Sequence, residues 1–108
     1  MTVESFATTT GFKPITIPTP DKEVNGAYIG DLLSWVMGRA ESGNVWITIM
    51  SNINIIAVAT LADVSCIVLA EGVIPDEDVI ATATAKGVNL LSSERSTFET
   101  VSVILGIK

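Results

Sequence analysis

The sequence predicts a small α/β domain: a single three-layer unit with a mostly parallel sheet of about four strands in βα repeats. Three observations carry this. Short apolar runs rich in β-branched residues alternate with segments whose apolar residues recur at helical spacing. Glycine, proline and Asn/Ser clusters punctuate that alternation. The chain has 108 residues, 48% of them hydrophobic and 17% charged, which suits one core with strands covered on both faces. Residues 1–108 are therefore expected to form a single domain.

The elements follow in order. Residues 1–12 are Thr-rich around Gly11 and read as a loose arm or an edge strand. Lys13–Ile17 suits a short strand, which Pro14 and Pro18 confine to an edge or a strand end. Pro18-Thr-Pro20-Asp21 is a turn, and Asn25-Gly26 a second flexible point. Asp31 can cap a helix through Leu32, Leu33, Trp35, Val36 and Met37, closed by the turn Glu41–Asn44. Val45–Met50 is a strand of β-formers. Ser51 or Asn52 then caps a short apolar helix, Ile53–Ala62, and Ser65–Ala70 is a second core strand. Pro75 followed by Asp76, Glu77 and Asp78 starts a helix that Gly87 stops, because the macrodipole favours acids at that end. Val88–Leu91 is a short strand, and Ser96 with Glu99 has the spacing of a capping box for a last helix to about Leu105.

Charge and composition exclude several classes. The net charge is −6, and the basic residues Lys13, Lys22, Arg39, Lys86, Arg95 and Lys108 are scattered, so no nucleic-acid partner is expected. The uncharged stretch 42–62 approaches membrane-spanning length, but Gly43, Asn44, Ser51, Asn52 and Asn54 interrupt it, so no membrane partner is expected. One cysteine and an N-terminus without the order of a signal peptide indicate a cytoplasmic protein.

The chemistry available is narrow. There is no histidine, which removes the commonest general base and nitrogen ligand for zinc. No Walker A run or glycine fingerprint is present to cradle phosphates. Asp76, Glu77 and Asp78 fit a helix start better than a cation site, and Cys66 reads as a buried hydrophobe. No catalytic residue, metal site or cofactor is expected. Asp31 and Glu94 are the only plausible bases for an enzymatic alternative.

In an open parallel sheet, ligands sit outside the carboxyl ends of the strands. That edge should collect Ser51, Asn52 and Asn54, then Glu71 and Gly72, then Ser92, Ser93, Glu94 and Ser96. These can hold a neutral polar ligand, or a phosphate on backbone N–H groups. They can equally be helix caps and nothing more. Trp46 belongs in the core, while Trp35 can lie in the core or half-exposed at an oligomer interface.

The run Asp21-Lys22-Glu23-Val24-Asn25-Gly26-Ala27-Tyr28-Ile29-Gly30-Asp31-Leu32-Leu33-Ser34 resembles the signature of the DRTGG domain family. The likeness continues through WITIMSNINIIAVATLADVSCIVLAEG and into the Leu-Ser-Ser and Thr-Phe-Glu elements, covering about Thr16 to Leu105. Lys22 stands where the family's name has arginine, and Asn25-Gly26-Ala27 replaces its threonine and paired glycines. The resemblance implies a small regulatory α/β domain that dimerises. Such domains accompany CBS-pair pyrophosphatases and phosphotransacetylases, and stand-alone members are sometimes called kinase-like.

Together these readings give a non-enzymatic homodimeric regulatory or sensing domain, with a protein partner and a small-molecule or nucleotide ligand as the further contacts to expect. Asn25, Gly26, Tyr28, Asp31, Ser51, Asn52, Asn54, Ser92, Ser93 and Glu94 are the candidate ligand residues. The alternative is an accessory subunit of a phosphotransferase, or a rudimentary kinase-like enzyme.

Overall fold

The computed structural model describes residues 1–106. In chain order the elements are α1 (Val3–Thr10), β1 (Lys13–Thr16), β2 (Ala27–Ile29), α2 (Leu33–Arg39), β3 (Val45–Thr48), α3 (Asn54–Ala62), β4 (Cys66–Leu69), α4 (Glu77–Lys86), β5 (Leu90–Ser92) and α5 (Thr97–Leu105). The strands form one sheet in the order β1-β5-β4-β3-β2. Strands β2 to β5 run parallel, and β1 lies antiparallel against β5. This is the α/β class the sequence predicts, with five strands instead of about four. The additional strand is β2, three residues hidden inside the signature run.

The pleat sends successive side chains to opposite faces, and the core divides accordingly. Trp46, Ile67, Leu69 and Leu90 pack with Val36 of α2, Ile55, Ile56 and Ala59 of α3, and Val79 and Ala83 of α4. On the other face Val45, Ile47, Cys66, Val68 and Leu91 meet Val3, Phe6 and Ala7 of α1, with Val103 and Ile104 of α5 against them. Two helical layers therefore enclose the sheet. All four residues of β3 and of β4 are buried, which is why these two segments read as continuous apolar runs.

The first dozen residues correct the sequence reading, because most of them are helix rather than loose arm or edge strand. Thr2 accepts the Ser5 backbone N–H on its side chain at 3.1 Å, and Gly11 closes the helix at φ 77°. Three consecutive threonines disguise the helix. Thr8 and Thr10 turn their hydroxyls back onto the carbonyls of Glu4 and Phe6. Burial of Val3, Phe6 and Ala7, with Phe6 edge-on to Phe12 at 5.9 Å between ring centres, outweighs the weak propensity.

Most caps fall where the sequence puts them. Gly87 (φ 73°) ends α4, and Ser96 accepts the Glu99 backbone N–H at 3.1 Å to start α5. Asp31 does not cap α2. That helix begins at Leu33 without a side-chain cap, and the Asp31 carboxylate is turned to the sheet instead.

Candidate functional site

The parallel sheet has two edges of opposite character. At the amino edge, before the strands begin, polar side chains bond one another. Asn89 is buried at the start of β5. Its Oδ1 accepts the Thr19 backbone N–H at 2.9 Å, and its Nδ2 donates to the carbonyls of Thr19 (2.7 Å) and Ser65 (2.9 Å). Ser65 donates its hydroxyl to the Glu23 carbonyl. Asn44 accepts the Glu41 N–H at 2.9 Å and donates to Asn25 Oδ1 at 3.5 Å.

The signature run supplies much of this edge. Lys22 Nζ lies 3.4 Å from Asp63 Oδ1, and Ser42 donates to the other oxygen of Asp63 at 2.5 Å. The Ser42 hydrogen bond and the Lys22 charge hold the Asp63 carboxyl below its ordinary value. Asp63 itself closes α3 in the left-handed conformation, at φ 55°. Of the two residues that replace paired glycines, Gly26 is at φ 124°, and a Cβ there would sit 3.3 Å from Asn44 Nδ2. Ala27 is exposed at the start of β2, paired in register with Val45, where an ordinary side chain fits.

This arrangement divides the predicted ligand residues. Asn25 and Gly26 lie at the amino edge, whereas Asp31 lies at the carboxyl edge, because β2 runs between them at about 3.3 Å per residue. No strand was expected between them. Tyr28 sits within β2, half-buried against the core and close enough to Gly30 that a Cβ there would meet Tyr28 Cε2 at 3.0 Å.

At the carboxyl edge, Asp31 Oδ1 accepts the Thr48 hydroxyl at 2.7 Å and the Ile49 N–H at 3.0 Å, which ties the start of α2 to the end of β3. Trp46, in the core as expected, donates its indole N–H to the Gly30 carbonyl at 2.9 Å. Asn52 accepts the Asn54 N–H at 2.9 Å in a local turn ahead of α3. Ser51 is half-buried at the end of β3, and Asn54 lines a mainly apolar groove between α3 and α4 together with Ile53, Leu61, Thr82 and Lys86. Glu71, at φ 62°, accepts the Thr97 N–H at 2.6 Å and so caps α5. The loops after β4 and β5 are joined by Glu71 N–H to the Arg95 carbonyl and Gly72 N–H to the Ser93 carbonyl.

Beyond those loops opens a cleft of about 820 Å³, between the start of β1 and the end of β5. Its walls include Phe12, Lys13 and Ile15, then Val73 and Ile74, then Ser92, Ser93, Glu94 and Arg95. Three predicted ligand residues thus come together here. Ser93 is spoken for: it is buried, bonded to the Thr100 hydroxyl at 2.9 Å and accepting the Arg95 N–H at 3.2 Å. Ser92 and Glu94 are free to face the cleft. Asp31 and Glu94 follow β2 and β5, at opposite flanks of the parallel strands, so β3 and β4 stand between the two candidate bases.

Lys13 and Arg95 were not foreseen as site residues. Only the pairing of β1 with β5, which sets Lys13 opposite Ser92, brings them to one place. Cys66 is buried in β4, and desolvation pushes its thiol up to about 12, so it is no nucleophile. Among the described residues no group of acids or cysteine could hold a metal ion, and no helix is long and apolar enough to cross a membrane.

No curated protein matches the chain. Among solved structures it is similar to the CBS and DRTGG domains of the regulatory region of Clostridium perfringens pyrophosphatase, crystallised with its activator diadenosine tetraphosphate. The TM-score is 0.71 at 16% identity, over 95% of this chain and 45% of that one. At that identity the likeness speaks for the fold alone, and this chain spans less than half the length of its neighbour. The family model of the DRTGG domain matches residues 21–107, a run that includes every parallel strand of the sheet. The chain belongs to the DRTGG domain family.

Proposed function

We propose that the chain is a non-enzymatic regulatory domain that works as a homodimer and senses a small ligand at the carboxyl edge of its sheet. The observation that carries the dimer is the open side of β2. That strand ends the sheet, and exposed apolar residues lie on it and in the segments next to it in sequence and in the sheet. Ile29 of β2, Leu32, Trp35 of α2 and Ile49 are all exposed, Trp35 by 52%. The Asp31 bond to the Ile49 N–H and the Trp35 backbone N–H bond to the Leu32 carbonyl keep the loops that carry Leu32, Trp35 and Ile49 close together beside that edge. Arg39 stacks over the Trp35 ring at 3.8 Å, holding the indole in place at the surface. Exposed aromatics beside an open strand edge suit a self-complementary two-fold contact.

Non-enzymatic action is supported by the bonds already described. The Asp31 carboxylate is engaged by Thr48 and Ile49, Cys66 is buried, and the candidate bases stand apart. Sedimentation velocity at micromolar concentration tests the dimer. The expected result is a dimer that Trp35→Glu converts to a monomer, with the circular dichroism spectrum and unfolding midpoint unchanged. A monomeric parent chain would overturn the reading.

A further inference from the structure

The cleft between β1 and β5 has a composition that the fold does not use. The chain carries twelve acids and six bases. Where the other described bases have visible partners, those are local: Lys22 lies against Asp63, and Arg39 on Trp35. Among the described residues Lys13, Lys86 and Arg95 have none, and of these only Lys13 and Arg95 share a cleft. Both are exposed on the cleft, and among the described residues neither side chain has an ion pair or a hydrogen bond. Two cations against the single acid Glu94 make this wall locally positive on an acidic protein.

The other walls are of a different kind. Ile74 is 80% exposed and contributes nothing to either core cluster, yet it lines the cleft with Val73 and Ile15. Ser92 and Glu94 offer a hydroxyl and a carboxylate that bond no other described residue. A volume of about 820 Å³ lies within the range of small-molecule sites and far exceeds a lone phosphate. The guanidinium fork of Arg95 matches phosphate oxygens, and Lys13 adds a point charge. Glu94 repels phosphate but accepts hydrogen bonds from sugar hydroxyls, and the apolar wall suits the face of a ring.

We propose that this cleft binds a nucleotide, with its phosphates on Lys13 and Arg95, its sugar hydroxyls toward Ser92 and Glu94, and its base against Ile74 and Val73. The proposal gives a ligand class to the sensing role above and rests on that role. It does not rest on the dimer, which sedimentation of the ligand-free chain decides separately.

Isothermal titration of the full chain with ATP, AMP, adenosine and inorganic phosphate is the test, backed by thermal shift. ATP should bind saturably and more tightly than AMP, with affinity falling as salt rises. Lys13→Ala and Arg95→Ala should each weaken ATP binding about tenfold, on the order of 1.4 kcal/mol. Neither should move the unfolding midpoint of the free chain, so loss of binding will not be loss of fold. Lys86→Ala, which makes the same charge change in the α3–α4 groove, should leave ATP affinity unaltered. No binding of ATP at millimolar concentration would overturn the proposal. So would binding that survives both cleft substitutions, an equal loss in Lys86→Ala, or phosphate binding as tightly as ATP.

Discussion

The two edges of the sheet are built from similar residues to opposite ends. At the amino edge, Asn44, Ser65 and Asn89 are all buried, and their side chains bond backbone groups of neighbouring loops. At the carboxyl edge, Asp31, Glu71 and Ser93 close the loops in the same manner, but beyond them Lys13, Ser92, Glu94 and Arg95 surround open space. The difference teaches where to look for a ligand site in this domain. A polar group that completes the fold is occupied, and one that the fold leaves idle is free for a ligand. The DRTGG signature itself serves both edges, Lys22, Asn25 and Gly26 at the amino edge and Asp31 at the carboxyl edge.

Three substitutions probe that contrast, from the largest expected effect to the smallest. Asn89→Ala removes three hydrogen bonds, taking the partner from the buried Ser65 carbonyl and the half-buried Thr19 N–H, while the Thr19 carbonyl keeps the Lys22 N–H. The change should cost about 3 kcal/mol. For a domain of this size that lowers the melting temperature by on the order of 15 °C. Urea unfolding measures it, and the dissociation constant for ATP should stay as in the parent at a temperature where the variant is folded. A neutral Asn89→Ala would break the comparison, because the amino edge would then not be holding the fold.

Asp31→Ala removes two hydrogen bonds at the carboxyl edge, of which the Ile49 N–H is solvent-exposed and can turn to water. A loss of about 1 kcal/mol in urea unfolding is expected, smaller than at Asn89 because only the Thr48 hydroxyl is left buried. An effect as large as that of Asn89→Ala would show that the fold leans on both edges equally.

The smallest effect belongs to Asp63. Its carboxyl is held below the ordinary value of 3.8 by Ser42 and Lys22, so the folded state keeps it ionised to lower pH than the unfolded chain does. The sign follows: the stabilisation is present above pH 3.8 and is lost as pH falls through the lowered folded value. Asp63 is mostly exposed, so solvent screens the gain. Comparing urea midpoints at about pH 6 and about pH 3, Asp63→Asn should show a slightly smaller acid loss than the parent, and salt at about 0.5 M should narrow the gap by screening the Lys22 charge. A gap that widens in salt would remove Lys22 as the cause.

How far the sequence reached depends on the range of the interactions concerned. It determined the α/β class, the positions of β3, β4 and α3 to α5, the stop at Gly87 and the cap at Ser96, because periodicity, glycine conformation and capping act within a few residues. It did not show α1, whose threonines argue locally against helix and whose formation depends on burying Val3 and Phe6 against a distant sheet. Nor did it show β2, three residues long and with too little pattern to read, although its parallel pairing carries Asn25 and Asp31 to opposite edges. Among the candidate ligand residues, Ser92 and Glu94 were legible at a strand end, where the parallel topology predicts a crevice. Their neighbours Lys13 and Arg95 were not, because they stand near opposite ends of the chain. Local forces wrote most of the elements into the sequence. Only the antiparallel pairing of β1 with β5, a long-range choice of register, decided that two scattered cations share one cleft.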